Sequence, residues 1–172
     1  TDNDSVVYQS TSDAPNPAFP TRYNTGTKFL GTAEVPVTIF TPNSVNSPGP
    51  WPTIIFQHGI TRSRFDASAV APLFAAFGFA TIAMDAPLHG TSAANPYCTQ
   101  LGVDASGFGL PGSERSFGMD LINNETGEPG SDGIPEDSGT YFLNFPSLIS
   151  SRAVWTQAVC DLNALATAIP TW

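Results

Sequence analysis

The sequence predicts an α/β fold, a mostly parallel sheet with helices on its faces and a β-hairpin near its N-terminal end. Three observations carry this expectation. Two short apolar runs, residues 53–56 and 79–84, flank a helix-like segment with short joints. That pattern is a βαβ unit, which implies parallel strands and a right-handed crossover. Further on, Leu148, Trp155, Val159, Leu162, Ala166 and Ile169 follow one another at steps of 7, 4, 3, 4 and 3. This is one helical stripe sustained over about six turns. Upstream, residues 29–33 and 35–40 read as two short strands, the source of the expected hairpin.

Residues 1–26 are rich in Ser, Thr, Asn, Asp and Pro and read as an irregular lead-in, with a partial domain over 27–172. Pro36 cannot donate to a ladder, so the strand it begins belongs at an edge or at a bulge. Residues 53–56, Thr-Ile-Ile-Phe, do not alternate, as in a strand buried on both faces. Residues 66–77 suit a helix capped by Asp66 or Ser68, with Val70, Leu73, Phe74 and Phe77 on its inner face and Gly78 as its C-cap. Pro72 fits only near its first turn. Residues 91–146 show no strong period and form a long insertion over one end of the sheet, acidic between Glu125 and Asp137. Pro170 ends the last helix.

Composition narrows the function. The chain has 172 residues, 41% hydrophobic and 12% charged, enough to bury one core. A formal net charge of −9 sets it against nucleic acid and anionic membranes, and its six Lys and Arg residues form no patch. No apolar run reaches the roughly 18 residues of a transmembrane helix. Low charge and abundant Gly, Pro, Ser, Thr and Asn suit an extracellular protein whose leader is absent from the sequence.

The chemistry concentrates where the two parallel strands end. Open parallel sheets bind ligands beyond the carboxyl ends of their strands. Gln57-His58-Gly59-Ile60-Thr61 follows the first strand and Asp85-Ala86-Pro87-Leu88-His89-Gly90 the second. A glycine after a strand lets the backbone turn sharply and present an amide N–H. This ordered set, residues 52–61 then 79–90, resembles the α/β-hydrolase core of bacterial extracellular lipases of the virulence-factor type. Residues 142–145 with Ser151, Arg152, Gln157, Asp161 and Leu162 resemble the helix preceding the nucleophile in that group. Strong motifs occupy about a third of the matched span, which runs over roughly residues 28–170.

The resemblance implies the N-terminal half of a secreted or cell-surface α/β-hydrolase, incomplete without further chain. Its activity would be carboxylic-ester hydrolysis by a serine nucleophile and an oxyanion hole, with an ester or lipid substrate and no cofactor. The backbone N–H of Ile60, or of Gly59, would face the oxyanion. His58, Asp85 and His89 would shape the loops. The nucleophile would lie in a G-x-S-x-G elbow beyond Trp172, with the acid and base later still, so none of the triad is in this chain and the C-terminal remainder is its required partner. The nearest approach here, Glu114-Arg115-Ser116-Phe117-Gly118, lacks the first Gly and the strand before it.

Alternatives remain on the same residues. The bond cleaved could be a peptide or polyester linkage, because fold does not settle substrate. A non-catalytic secreted binding or structural protein is the reading from another class, resting on the absent nucleophile. No metal is expected: His58, His89 and Asp85 have no ligand spacing, and the acidic segment lacks the order of an EF-hand loop. Arg152 borders the apolar stripe and reaches either Asp85 or water. Cys98 and Cys160 are expected to form a disulfide tying the insertion to the last helix, in an oxidising compartment.

Overall fold

The computed structural model describes residues 4–10, 27–90, 115–117, 119–134 and 136–169, which fall into two compact units. The first comprises residues 1–35 and 141–172, the second residues 36–140.

In the first unit, β1 (Asp4–Ser10) runs antiparallel to β2 (Thr27–Glu34). The register steps from Val7↔Gly31 to Tyr8↔Phe29, so Leu30 is the extra residue of a bulge. β1 corrects the expectation of an irregular lead-in. Val6-Val7-Tyr8 is a β-branched and aromatic run short enough to be hidden among polar neighbours. It also corrects the expected hairpin, since β2 takes β1 as its partner. Helix α2 (Leu148–Ala168) packs on β1. Its N-cap Ser147 accepts from the Ser150 amide, and Ser151 Oγ accepts from the Asn144 amide at 2.7 Å.

The α2 stripe is a helix as expected, but the expected face is not the packed one. The helix buries Ser151, Ala158, Asp161 and Leu165. At about 100° per residue this row lies roughly a quarter turn from the apolar stripe. Leu148 and Val159 are exposed, and Trp155 of the same stripe is 47% exposed. Small and hydrogen-bonded residues explain the choice. Ala158 permits close approach, and Asp161 accepts from Gln157 Nε2 at 2.5 Å. Trp155 instead lays its ring beside Phe142, centroids 5.0 Å apart.

The described residues show no disulfide. Cys160 carries a free thiol, half-buried on α2, and Cys98 lies outside the described residues. Burial pushes this thiol above its ordinary value, and the neighbouring Asp161 charge adds to the shift, so it is a poor nucleophile for exchange.

The second unit holds a three-stranded sheet in the order β3-β5-β4. β3 (Val37–Phe40) is antiparallel to β5 (Ala80–Met84), pairing Val37 with Met84, and lies at an edge, directly after Pro36. β4 (Thr53–Phe56) is parallel to β5, pairing Thr53 with Ala80. Central β5 is buried at every residue, whereas β4 is half-buried throughout. The apolar run of β4 therefore signalled a parallel strand, but its residues are half-buried and not buried on both faces.

The β4–β5 crossover departs from a single helix over 66–77. A 3-10 helix spans Arg64–Ala69, and α1 spans Ala71–Ala76 with Pro72 in its first turn. Proline has no N–H to give and its ring clashes with the carbonyl four residues back, so one continuous α-helix cannot run through it. The break rotates the packed face to Phe65, Ala67 and Ala71, and leaves Leu73 and Phe77 exposed, at 60% and 73%. Gly78, at φ +81°, closes α1: its amide bonds Ala75 O and the Phe79 amide bonds Phe74 O, both at 3.0 Å.

Candidate functional site

Strand β4 ends at Phe56, and the chain turns at once. The Arg62 amide donates to Gly59 O at 3.2 Å, closing a β-turn over Gly59-Ile60-Thr61-Arg62. Thr61 has φ +67° while Ile60 does not have a positive φ, which defines a type II turn. A β-branched residue in the left-handed region is strained and must be held there by its surroundings.

Strand β5 ends in a turn of the same kind. The His89 amide donates to Ala86 O at 3.1 Å, Pro87 occupies the second position, and Leu88 has φ +62°. Proline suits that position because its ring already supplies the φ required. Two adjacent parallel strands thus finish in two type II turns, each with a non-glycine residue in the left-handed region.

His58 joins the turns. Its Nε2 accepts from the Ala86 amide at 3.0 Å, so its proton is on Nδ1, which donates to Gly59 O at 2.7 Å. The Gly59 carbonyl is consequently held by both the His58 ring and the Arg62 amide. In a trans peptide the carbonyl and the following N–H point in opposite directions. The Ile60 N–H is therefore aimed away from His58. Among the described residues the amides of Gly59, Ile60 and Thr61 donate no hydrogen bond. Ile60 is 40% exposed and Gly59 is exposed as well.

Beneath the turns lies a buried polar knot. Asp85 Oδ1 accepts from the Arg64 amide at 2.6 Å, and Asp85 Oδ2 pairs with Arg64 Nη1; both side chains are fully buried. Arg115 Nη1 donates to the Asp85 carbonyl at 2.8 Å. The His58 Nε2–Asp85 Oδ1 separation of 3.7 Å is no hydrogen bond, and Nε2 is already occupied as an acceptor. The His89 ring lies tilted beside that of His58, centroids 4.8 Å apart, and its Nδ1 donates to Pro87 O at 3.0 Å. Burial holds the His89 pKa below the ordinary histidine value; the Pro87 carbonyl opposes the shift and His58 adds to it.

The expected loop-shaping trio His58, Asp85 and His89 thus lies in one buried cluster beside the turn that carries Gly59 and Ile60. Sequence reasoning missed Arg64 and Arg115, which it counted only among basic residues that form no patch. It also missed Ser138 and Gly139: Ser138 Oγ donates to Arg62 O at 2.8 Å and accepts from the Gly90 amide at 3.2 Å, while the Gly139 amide donates to Leu88 O at 2.8 Å. Arg152 is exposed on α2, and Arg64 takes the Asp85 carboxylate. Ser116 sits in a turn over residues 115–117 with exposed Phe117 after it at φ +58°, flanked by no described strand or helix.

The acidic carboxylates brace their own loop. Asp120 accepts from Ser131 Oγ at 2.6 Å and from the amides of Asp132 and Gly133, which together hold its pKa below the ordinary aspartate value. Asp132 accepts from the Asn124 and Ile134 amides, and Glu136 Oε1 from those of Leu121 and Ile122. A bridge pairs Ile122 with Pro129. Among the described residues no group of three His, Cys, Asp or Glu side chains could hold a metal ion, and no helix is long and apolar enough to cross a membrane. No protein-family model, no curated protein and no solved structure matches this chain.

Proposed function

We propose that this chain carries the oxyanion loop of a secreted carboxylic-ester hydrolase, whose serine nucleophile, acid and base come from outside these 172 residues. The observation that supports this most is the Gly59–Arg62 turn. Its Gly59 carbonyl is pinned by His58, its Ile60 N–H is unbonded and aimed away, and it stands at the carboxyl end of a parallel strand. Such a preset donor does its work when a carbonyl oxygen gains charge. It strengthens its hydrogen bond in the transition state without reorganising, and one such donor contributes about 3 kcal/mol.

The buried knot fits this role. A donor helps only if it does not relax away from the developing charge, and the Arg64–Asp85 pair with His58 supplies a rigid floor under the turn. An ester or lipid acyl group would lie against the exposed Ile60 side.

The test is chemical. Full-length protein should hydrolyse short acyl esters and be labelled by a fluorophosphonate at a serine outside residues 1–172. Stoichiometric labelling of Ser116, or of any serine within this chain, would overturn the proposal, as would turnover of peptides without turnover of esters.

A further inference from the structure

We propose that Ser138 and Gly139 form a clamp that sets the oxyanion turn, making the segment after the acidic loop a positioning element for the site. The inference rests on the ester-hydrolase reading for its catalytic consequence, but not for its geometry.

Thr61 and Leu88 both hold left-handed backbone conformations that side-chain-bearing residues avoid. Strained conformers persist only where the surroundings over-determine them. The turn hydrogen bonds at 3.2 and 3.1 Å are ordinary, so a further restraint is needed. Residues 138 and 139 supply it from far along the chain. Ser138 Oγ donates to the carbonyl of Arg62, the last residue of the first turn. The same oxygen accepts from the amide of Gly90, the residue just past the second turn. One hydroxyl therefore links the two turns.

Gly139 completes the clamp by close approach. Its amide bonds the carbonyl of Leu88, the strained residue of the second turn. A Cβ on Gly139 would stand 2.8 Å from the Thr61 amide nitrogen and closer still to His89 Nε2, and Gly139 itself has φ +77°. Both the space and the backbone conformation demand glycine here. Any side chain at this position must displace the strained residue of the first turn or the His89 ring. Since Gly59 is held by His58 on one side and Thr61 is confined by Gly139 on the other, the peptide that bears the Ile60 N–H has its direction set from both ends.

The experiment compares wild type with Ser138→Ala, Ser138→Thr and Gly139→Ala in the full-length enzyme. Three readouts are taken: kcat and KM on a short acyl ester, the thermal midpoint, and amide hydrogen exchange at Arg62 and His89. Ser138→Ala and Gly139→Ala should lower kcat by about 10-fold or more with KM within about twofold, because a small misplacement of a catalytic donor costs rate and not ground-state binding. Exchange at Arg62 and His89 should quicken by about 10-fold. Ser138→Thr, which keeps the hydroxyl, should restore both. Unchanged kcat and exchange in folded Ser138→Ala would overturn the clamp. If wild type hydrolyses no ester but Ser138→Ala still quickens exchange, the function fails and the clamp stands. Should Gly139→Ala not fold, Ser138→Ala carries the decision, since it removes a single oxygen.

Discussion

The two units invert the usual relation between polarity and burial. In the second, a carboxylate, two arginines and two histidines are buried where β4 and β5 end. In the first, helix α2 turns Leu148, Ile149 and Val159 outward and buries Ser151 and Asp161. Burying charge is costly unless it is paired and hydrogen-bonded, and the Asp85 knot meets that condition at each oxygen. What it gains is a backbone geometry that apolar packing alone does not specify. On α2 the apolar side chains Leu148 and Val159 stay exposed instead.

The largest effect is expected at Asp85. Asp85→Ala removes the carboxylate that pairs with the buried Arg64 guanidinium, which should cost about 3–5 kcal/mol, read from the urea midpoint. A loss below about 1 kcal/mol would mean that the knot does not hold the turns. Trp155→Ala on α2 should cost less, because the ring is half exposed and forfeits mainly its contact with Phe142, worth about 0.5–1.5 kcal/mol beyond burial.

Acidity should separate the two regions next. Buried His89 has a lowered folded pKa, so the unfolded chain binds its proton first as pH falls. The stability from neutral His89 is fully present above the unfolded value of about 6.5 and is lost as pH drops from there toward the folded pKa. Thermal midpoints should decline over that window in wild type and decline less in His89→Gln. An equal decline in both would remove His89 from the account. The smallest effect belongs to Val159→Ser, which should change stability by only about 0.5 kcal/mol or less, read from the thermal midpoint. A large loss of stability there would show that the stripe is packed after all.

What could be read from the sequence follows physical range. The β4 run, the turn after it and β5 announce themselves through local apolar runs and a glycine, so His58, Gly59 and Ile60 were found at the end of a strand. The α2 period identified a helix but chose the wrong face, since periodicity reports where apolar residues lie and not what covers them. Arg64 and Arg115 gave no signal because arginine is usually exposed. Ser138 lies 76 residues from the Arg62 carbonyl it bonds, a distance over which no local pattern speaks. Pro72 was expected in the first turn of one helix over 66–77, and the break into a 3-10 helix and α1 with a rotated face was not foreseen.

On the proposed reading the Ile60 N–H is the catalytic donor, and Ile60→Pro removes it. Ile60 is the second residue of a type II turn, a position that favours proline, so the substitution deletes the N–H while keeping the turn. Ile60→Ala, which keeps the N–H and loses the side chain, is the control. In full-length enzyme, kcat on a short acyl ester should fall by about 10²-fold or more in Ile60→Pro, with an unaltered thermal midpoint, and by far less in Ile60→Ala. Turnover in folded Ile60→Pro equal to that of Ile60→Ala would contradict the account.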